Sequence, residues 1–256
     1  MSDITEPVAN LGPAVAVMAR SPCGARAPKS RLAGVLPDEA DRRRLYAGFL
    51  QDVVSACAAI DGATLRVAYT ADGGTAGFDE LGVAPGQLLP QRGDSLGARE
   101  RGVFEDLFGL GFSPVVLVGS DLPTLPMSRI DDAIGRLLAG HDRVVLGPAD
   151  DGGYYLMGLS RNPVTAAIPD LFTTIRWSSE WTRGDTVAAA ERCGLRVELL
   201  DAWYDVDDGA GLARLQREVA TEQGSSRAPA TKRVLDALAG GLWTGPGTGL
   251  KTRGYE

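Results

Sequence analysis

The chain reads as an α/β protein, a three-layer α/β/α sandwich with a mostly parallel central sheet. Three observations predict it. Short, nearly continuous apolar runs such as "AVAVMA" (14–19) and "PVVLVGSD" (114–121) suit strands buried on both faces. Between such runs, apolar residues recur every three or four positions, the stripe of a helix laid on a sheet. The two patterns alternate along the chain, the order expected of a parallel sheet covered by helices.

Residues 14–19 give the first strand, and an irregular segment rich in Gly, Pro and Arg follows it. From Asp38 to Ile60 the positions Leu45, Phe49, Val53, Cys57 and Ile60 predict a helix, and "TLRVAYT" (64–70) the next strand. "DSLGARERGVFEDLFGL" (94–110) reads as helix and 114–121 as a strand ending in a carboxylate. Ile130, Ala133, Ile134, Leu137 and Leu138 make a further helical stripe with Ser128 as its N-cap. "RVVLGP" and "YYLMGL" are strands on either side of "ADDGG", where Asp-Gly is a hairpin-turn signal. "TVAAAERCG", "LRVELL" and "DDGAGLARLQREV" finish with helix, strand, helix. The expected organisation is a flexible N-terminus over 1–12, one domain over 13–222, and a C-terminal extension over 223–256. In that extension a short helix at 229–239 is set in otherwise flexible chain.

Composition narrows the function. Of 256 residues, 44% are apolar and 23% charged, the balance of a soluble globular protein. No run approaches the roughly 18 to 20 apolar residues of a membrane helix, and the N-terminus is acidic where a signal peptide is basic, so a cytoplasmic protein without a membrane partner is expected. A net charge of −7 argues against a nucleic-acid partner, so any anion site must be local. Cys23, Cys57 and Cys193 are odd in number and far apart, as reduced thiols are. His141 is the single histidine, so Ser-His, Cys-His and His-ligated metal chemistry have little to work with. Arg, Lys, Asp and Gly remain, which points to phosphate and hard-cation chemistry.

Ligands of open α/β sheets lie at the carboxyl ends of the strands. After the first strand, "ARSPCGARAPKSRL" (19–32) places Arg20, Arg26, Lys29 and Arg31 on one loop, a set suited to a di- or triphosphate or else a solvated basic loop. It is neither a Walker A loop nor a dinucleotide glycine triplet. In "VGSDLPTL", Asp121 ends a buried strand, where it can hold Mg²⁺ or cap a turn. In "AWYDVDDGAG", Asp205 and Asp207 project to one side of an extended segment toward a metal, while Asp208 caps the next helix. Asp150 and Asp151, with Gly152 and Gly153, follow a strand on the same side of the sheet. Asp151 is the first choice for substrate contact there, and the glycines would let a ligand approach the backbone. Tyr154 and Tyr155 alternate, so one is expected to face the core and the other the site. Trp177 and Trp181 either stack a sugar or base or are buried, and Phe172 reads as core.

In order along residues 14–220, "PKSRLA", "QRGDSLGAR", "GSDLPTL", "GPADDGGYYLMGL", "LFTTIRWSS" and "YDVDD" resemble the motifs of the DUF2064 family. This is the "transferase 1" group associated with radical-SAM and selenodomain gene clusters, within the nucleotide-diphospho-sugar transferase superfamily. Ser30 stands where that family usually has Thr, and Ser95 is an insertion. The resemblance implies a GT-A-like fold with nucleotide at the strand ends. It also implies Asp121 as ligand to Mg²⁺ or Mn²⁺, Lys29 and Arg31 near phosphates, and Gln91 with Gly93 near the base.

Two reactions suit such a site. In glycosyl transfer, a metal and the basic loop neutralise a departing nucleoside diphosphate, while Asp151 or Asp150 takes the proton of a small acceptor. In nucleotidyl transfer, a phosphorylated small molecule attacks an NTP and pyrophosphate leaves, with no protein base needed. "GSDLP" and the four cations suit the second; "DDGGYY" and the family label favour the first, which is placed slightly ahead. A non-catalytic nucleotide- or sugar-binding protein is the third reading.

Overall fold

Alternation along the first strand sets the layers. In the computed structural model, which describes residues 10–25, 27–162 and 167–240, strand β1 (Ala14–Ala19) sends Val15, Val17 and Ala19 to one face and Ala14 and Ala16 to the other. Helix α1 (Glu39–Ala58) follows, started by Asp38, whose carboxylate accepts the backbone N–H groups of Ala40 and Asp41. Next come β2 (Thr64–Tyr69), the short β3 (Leu88–Pro90), α2 (Leu96–Gly109), β4 (Val115–Gly119) and α3 (Ser128–Leu138). The chain continues through β5 (Arg143–Pro148), β6 (Tyr154–Leu159), α4 (Thr182–Arg192) and β7 (Arg196–Leu199), and closes with α5 (Gly209–Val219), α6 (Glu222–Arg227) and α7 (Pro229–Gly240).

The strands form one seven-stranded sheet in the order β3-β2-β1-β4-β6-β5-β7. Only β6 runs against its neighbours, antiparallel to β4 and β5; the other pairings are parallel. The expected mostly parallel α/β/α sandwich is therefore present. Helices α1 and α3 pack Leu50, Val53, Ile130 and Leu137 on one face, and α2 and α4 pack Phe104, Leu107, Ala189 and Ala190 on the other. A third apolar cluster lies outside these layers, where α5 and α7 bring Leu212, Leu215, Leu235 and Leu238 onto Leu45 and Phe49 of α1. No helix of the described residues is long and apolar enough to cross a membrane.

Several local readings change. The stretch after residue 222, read as flexible up to 229, contains α6, capped by Thr221 through the Gly224 N–H, so polar composition hid a short capped helix. α7 is held by a bond that no local pattern announces: the buried carboxylate of Asp52, in α1, accepts the Ala230 and Thr231 N–H groups at 2.9 and 2.8 Å. Ser128 is the first residue of α3 rather than its cap, and Met127 in the cap position makes no side-chain capping bond. Arg26 and the outermost segments assigned as flexible, 1–9 and 241–256, lie outside the described residues.

Candidate functional site

β1 leads outward to β2 and β3, whereas the chain after β4 fills the other half of the sheet, so the switch in strand order falls between β1 and β4. Their carboxyl ends carry Arg20 and the Ser120–Asp121 pair. The Tyr46 phenol, reaching up from α1, accepts the Arg20 N–H at 2.8 Å and lies 3.3 Å from Ser120 Oγ, fastening the two strand ends together. Burial drives its pKa up, Asp121 adds to the rise, and Tyr46 stays protonated. No local pattern marks this role, since Tyr46 lies inside an ordinary helical stripe.

The segment after β7 reaches the same place by backbone bonds. Trp203 N–H donates to Pro148 at the end of β5, and Val206 N–H donates to Asp121 at 3.0 Å. Asp205 and Asp207, flanking Val206, are thereby delivered to Asp121. Lys29 closes the group: its ammonium lies 2.6 Å from Asp121 Oδ2 and 2.9 Å from Asp207 Oδ1. Burial alone would lower the Lys29 pKa; the two carboxylates outweigh it and hold the pKa above its ordinary value. Burial would raise Asp207, but Lys29 and Arg31 pull it down. Asp205 is pushed up to about 6, first by burial and then by the charges of Asp207 and Asp151. Asp208 caps α5 by accepting the Gly211 N–H, as read from sequence.

Two cavities meet over this group. The larger, about 700 Å³, is lined by Arg20, Lys29, Arg31, Gln91, Arg99 and Asp121, among others. Gln91 donates its amide N–H to the Ala68 carbonyl at 2.7 Å, which fixes the side chain against the strand ends. Gly93 borders neither cavity; with φ of 108° it turns the chain into α2. Arg99, one turn into α2, adds a cation that helical spacing alone does not mark as facing the site.

The smaller cavity, about 260 Å³, shares Arg31, Leu96, Asp121 and Asp207 with the first. Glu100, Asp151, Gly153, Tyr154, Trp177, Ser178, Ser179, Thr182 and Asp205 line the rest with Tyr155 and apolar neighbours. The "ADDGG" turn joins β5 to β6 as the hairpin its Asp-Gly step announces, and Asp151 accepts the Gly153 N–H at 2.8 Å. Asp150 turns to a neighbouring 410 Å³ cleft, where it pairs with Arg214 at 2.7 Å. Gly152 meets protein rather than open space, because a Cβ there would lie 2.3 Å from the Glu180 carbonyl oxygen. Both tyrosines border the cavity, but Tyr155 gives its hydroxyl to the Asp201 carbonyl and Tyr154 gives its own to Glu100. Trp177 lies on the first turn of α2, where Gly97 leaves room for the indole, while Trp181 is exposed and stacks with Arg176. Phe172 is buried in the core.

Among the described residues, no cluster of three or more His, Cys, Asp or Glu side chains is arranged to enclose a metal ion. Mg²⁺ needs only one or two protein carboxylates, with water and phosphate oxygens completing its shell. Asp121 and Asp207 meet that requirement: both already face one positive charge, the Lys29 ammonium.

No curated protein sequence matches the chain. Among solved structures it is similar to a protein of Desulfovibrio desulfuricans G20 that carries the provisional name nucleotide-diphospho-sugar transferase. That match has 28% identity and a TM-score of 0.77, covering 90% of this chain and 96% of the other. A cytidylyltransferase from Leptospira borgpetersenii serovar Hardjo-bovis shares the fold at 10% identity and a TM-score of 0.52, covering 94% of this chain and 99% of that one. Residues 53–179, which run from α1 through the hairpin to Trp177, match the model of a family described as an uncharacterized protein conserved in bacteria, DUF2064. With that match, the nucleotide-diphospho-sugar transferase type of sheet and the ordered motifs at its strand ends, the chain belongs to the DUF2064 family.

Proposed function

We propose that the chain is a metal-assisted glycosyltransferase that moves a sugar from a nucleoside-diphosphate sugar to a small hydroxyl-bearing acceptor. The observation that carries this reading is the division of charge between the joined cavities. Arg20, Lys29, Arg31 and Arg99 line the larger one, which suits a diphosphate. Glu100, Asp151 and Asp205 line the smaller one beyond its shared rim. Nucleotidyl transfer needs a phosphorylated acceptor, and such an acceptor would set its charge against these carboxylates; a sugar ring and an uncharged hydroxyl would not.

Asp121 and Asp207 would hold the Mg²⁺ or Mn²⁺ ion, with Asp205 beside them, and the ion when bound supplies neutralising charge to the leaving diphosphate. Arg20 and Arg31 grip phosphate oxygens, and Gln91, which lines the same cavity, serves the base. In the transfer step the acceptor oxygen forms a bond to the anomeric carbon as the bond from that carbon to the diphosphate oxygen breaks. The nucleoside diphosphate leaves with the electron pair, and the acceptor proton passes to Asp151.

The test is product analysis with nucleotide sugars and with NTPs, each with Mg²⁺. Release of nucleoside diphosphate, quickened by a polyol acceptor, supports glycosyl transfer. Pyrophosphate release from an NTP that depends on a phosphorylated acceptor overturns it in favour of nucleotidyl transfer.

A further inference from the structure

Glu100 sits on α2 with 8% of its surface exposed, and it borders the smaller cavity. A carboxylate this deep, with no cation beside it among the described residues, is unusual for a structural position, because burying a charge is unfavourable unless it is paired. Its partner is neutral: the Tyr154 hydroxyl donates to Oε2 at 2.7 Å. Burial accordingly raises the Glu100 pKa to about 7, the Tyr154 bond restraining the rise. Trp177 lies one turn away, its indole so close on Gly97 that a Cβ there would fall 2.5 Å from the ring. Both side chains border the same cavity, as do Ser178, Ser179 and Thr182. A carboxyl oxygen that accepts hydroxyl donors, beside an aromatic wall and among small hydroxyls, matches a sugar ring, which offers many O–H groups and apolar C–H faces.

We infer that Glu100 and Trp177 form the subsite for the sugar of the donor, with Glu100 as the group that accepts a ring hydroxyl and Tyr154 as the residue that orients its carboxyl. This rests on the glycosyl-transfer reading and adds to it the residues that distinguish a nucleotide sugar from a bare nucleotide. The first-choice acidic residue in the hairpin, Asp151, is thereby left free to serve the acceptor.

Calorimetric titrations with four pairs test it, at pH 8 with Mg²⁺: UDP and UDP-glucose, GDP and GDP-mannose, dTDP and dTDP-glucose, ADP and ADP-glucose. For the pair that binds, the sugar conjugate is expected to bind about tenfold more tightly than the diphosphate. Glu100→Gln keeps the size and the Tyr154 contact; it is expected to leave the diphosphate Kd unchanged and to remove most of that tenfold advantage. Trp177→Leu is expected to have the same selective effect, and thermal unfolding of both variants establishes that they are folded. A Glu100→Gln protein that binds both members of the pair as the wild type does, or weakens both equally, overturns the subsite. So does a wild type that binds diphosphate and conjugate equally. Failure of all eight compounds to bind overturns the glycosyl-transfer reading itself, and the subsite with it.

Discussion

Lys29 Nζ lies 2.6 Å from Asp121 Oδ2, and Lys29 holds this position from a left-handed backbone, φ 56° and ψ 38°. The side chain is 4% exposed, so the ammonium stands between Asp121 and Asp207 where a bound divalent ion would share their charge. Replacing it by Met leaves two carboxylates facing each other. Lys29→Met is expected to lose about 2 kcal/mol of stability, below the usual loss for a broken buried pair because the carboxylates keep about a third of their surface in water. Millimolar Mg²⁺ should then raise the Tm of the variant more than that of the wild type. Thermal unfolding with Mg²⁺ and with EDTA reads this out, and equal shifts in both proteins would sink it.

Glu100 gives stability a pH dependence of unusual sign. Its pKa rises from an ordinary 4.5 to about 7 in the fold, so between those values the unfolded chain has released a proton that the native protein still holds. Stability therefore falls as pH climbs from about 4.5 to about 7, by up to roughly 3 kcal/mol, and changes no further above that. Glu100→Gln is expected to remove this slope and to be more stable than wild type at pH 8. Urea titrations at pH 5 and pH 8 on both proteins check it.

Asp151→Asn is expected to lower turnover by 10²-fold or more with donor binding intact, as removal of a general base does. Asp150→Asn should leave turnover within a few-fold, because its carboxylate faces Arg214 in the neighbouring cleft. Steady-state kinetics and donor Kd measured together separate the two; equal losses would reject the assignment of the base.

Gly152→Ala is expected to cost about 2 kcal/mol or more. The residue has φ of 91°, and the new Cβ would press on the Glu180 backbone, which cannot swing aside as a side chain can. Denaturant unfolding measures the loss; a neutral substitution would mean that the hairpin and the 178–182 turn separate freely.

The layers of the fold were legible because strands buried on both faces leave continuous apolar runs and their covering helices leave stripes, as β4 and α3 do. Asp121, Lys29, Arg31 and the 205–207 pair could be read as well, since carboxylates and cations directly after strands fall at one edge of a parallel sheet. Glu100, Tyr46 and Arg99 could not. Each lies within an amphipathic helix, where a polar residue facing the site has the same local spacing as one facing water. Gly152 was legible as a turn glycine, but its close neighbour, Glu180, is remote in sequence. The Asp52 bond to α7 was hidden for the same reason, its partners lying at positions 230 and 231.

Asp52 and Tyr46 sit on the same helix, less than two turns apart. One end of that span grips the start of α7 and the other holds the backbone of Arg20 against Ser120. The helix is thus a strut between the C-terminal packing and the mouth of the larger cavity. Its rigidity means that the entropy of ordering the backbone at Arg20 is met when the chain folds rather than when a ligand arrives. Loosening α7, far from any ligand, would move that cost into the binding step.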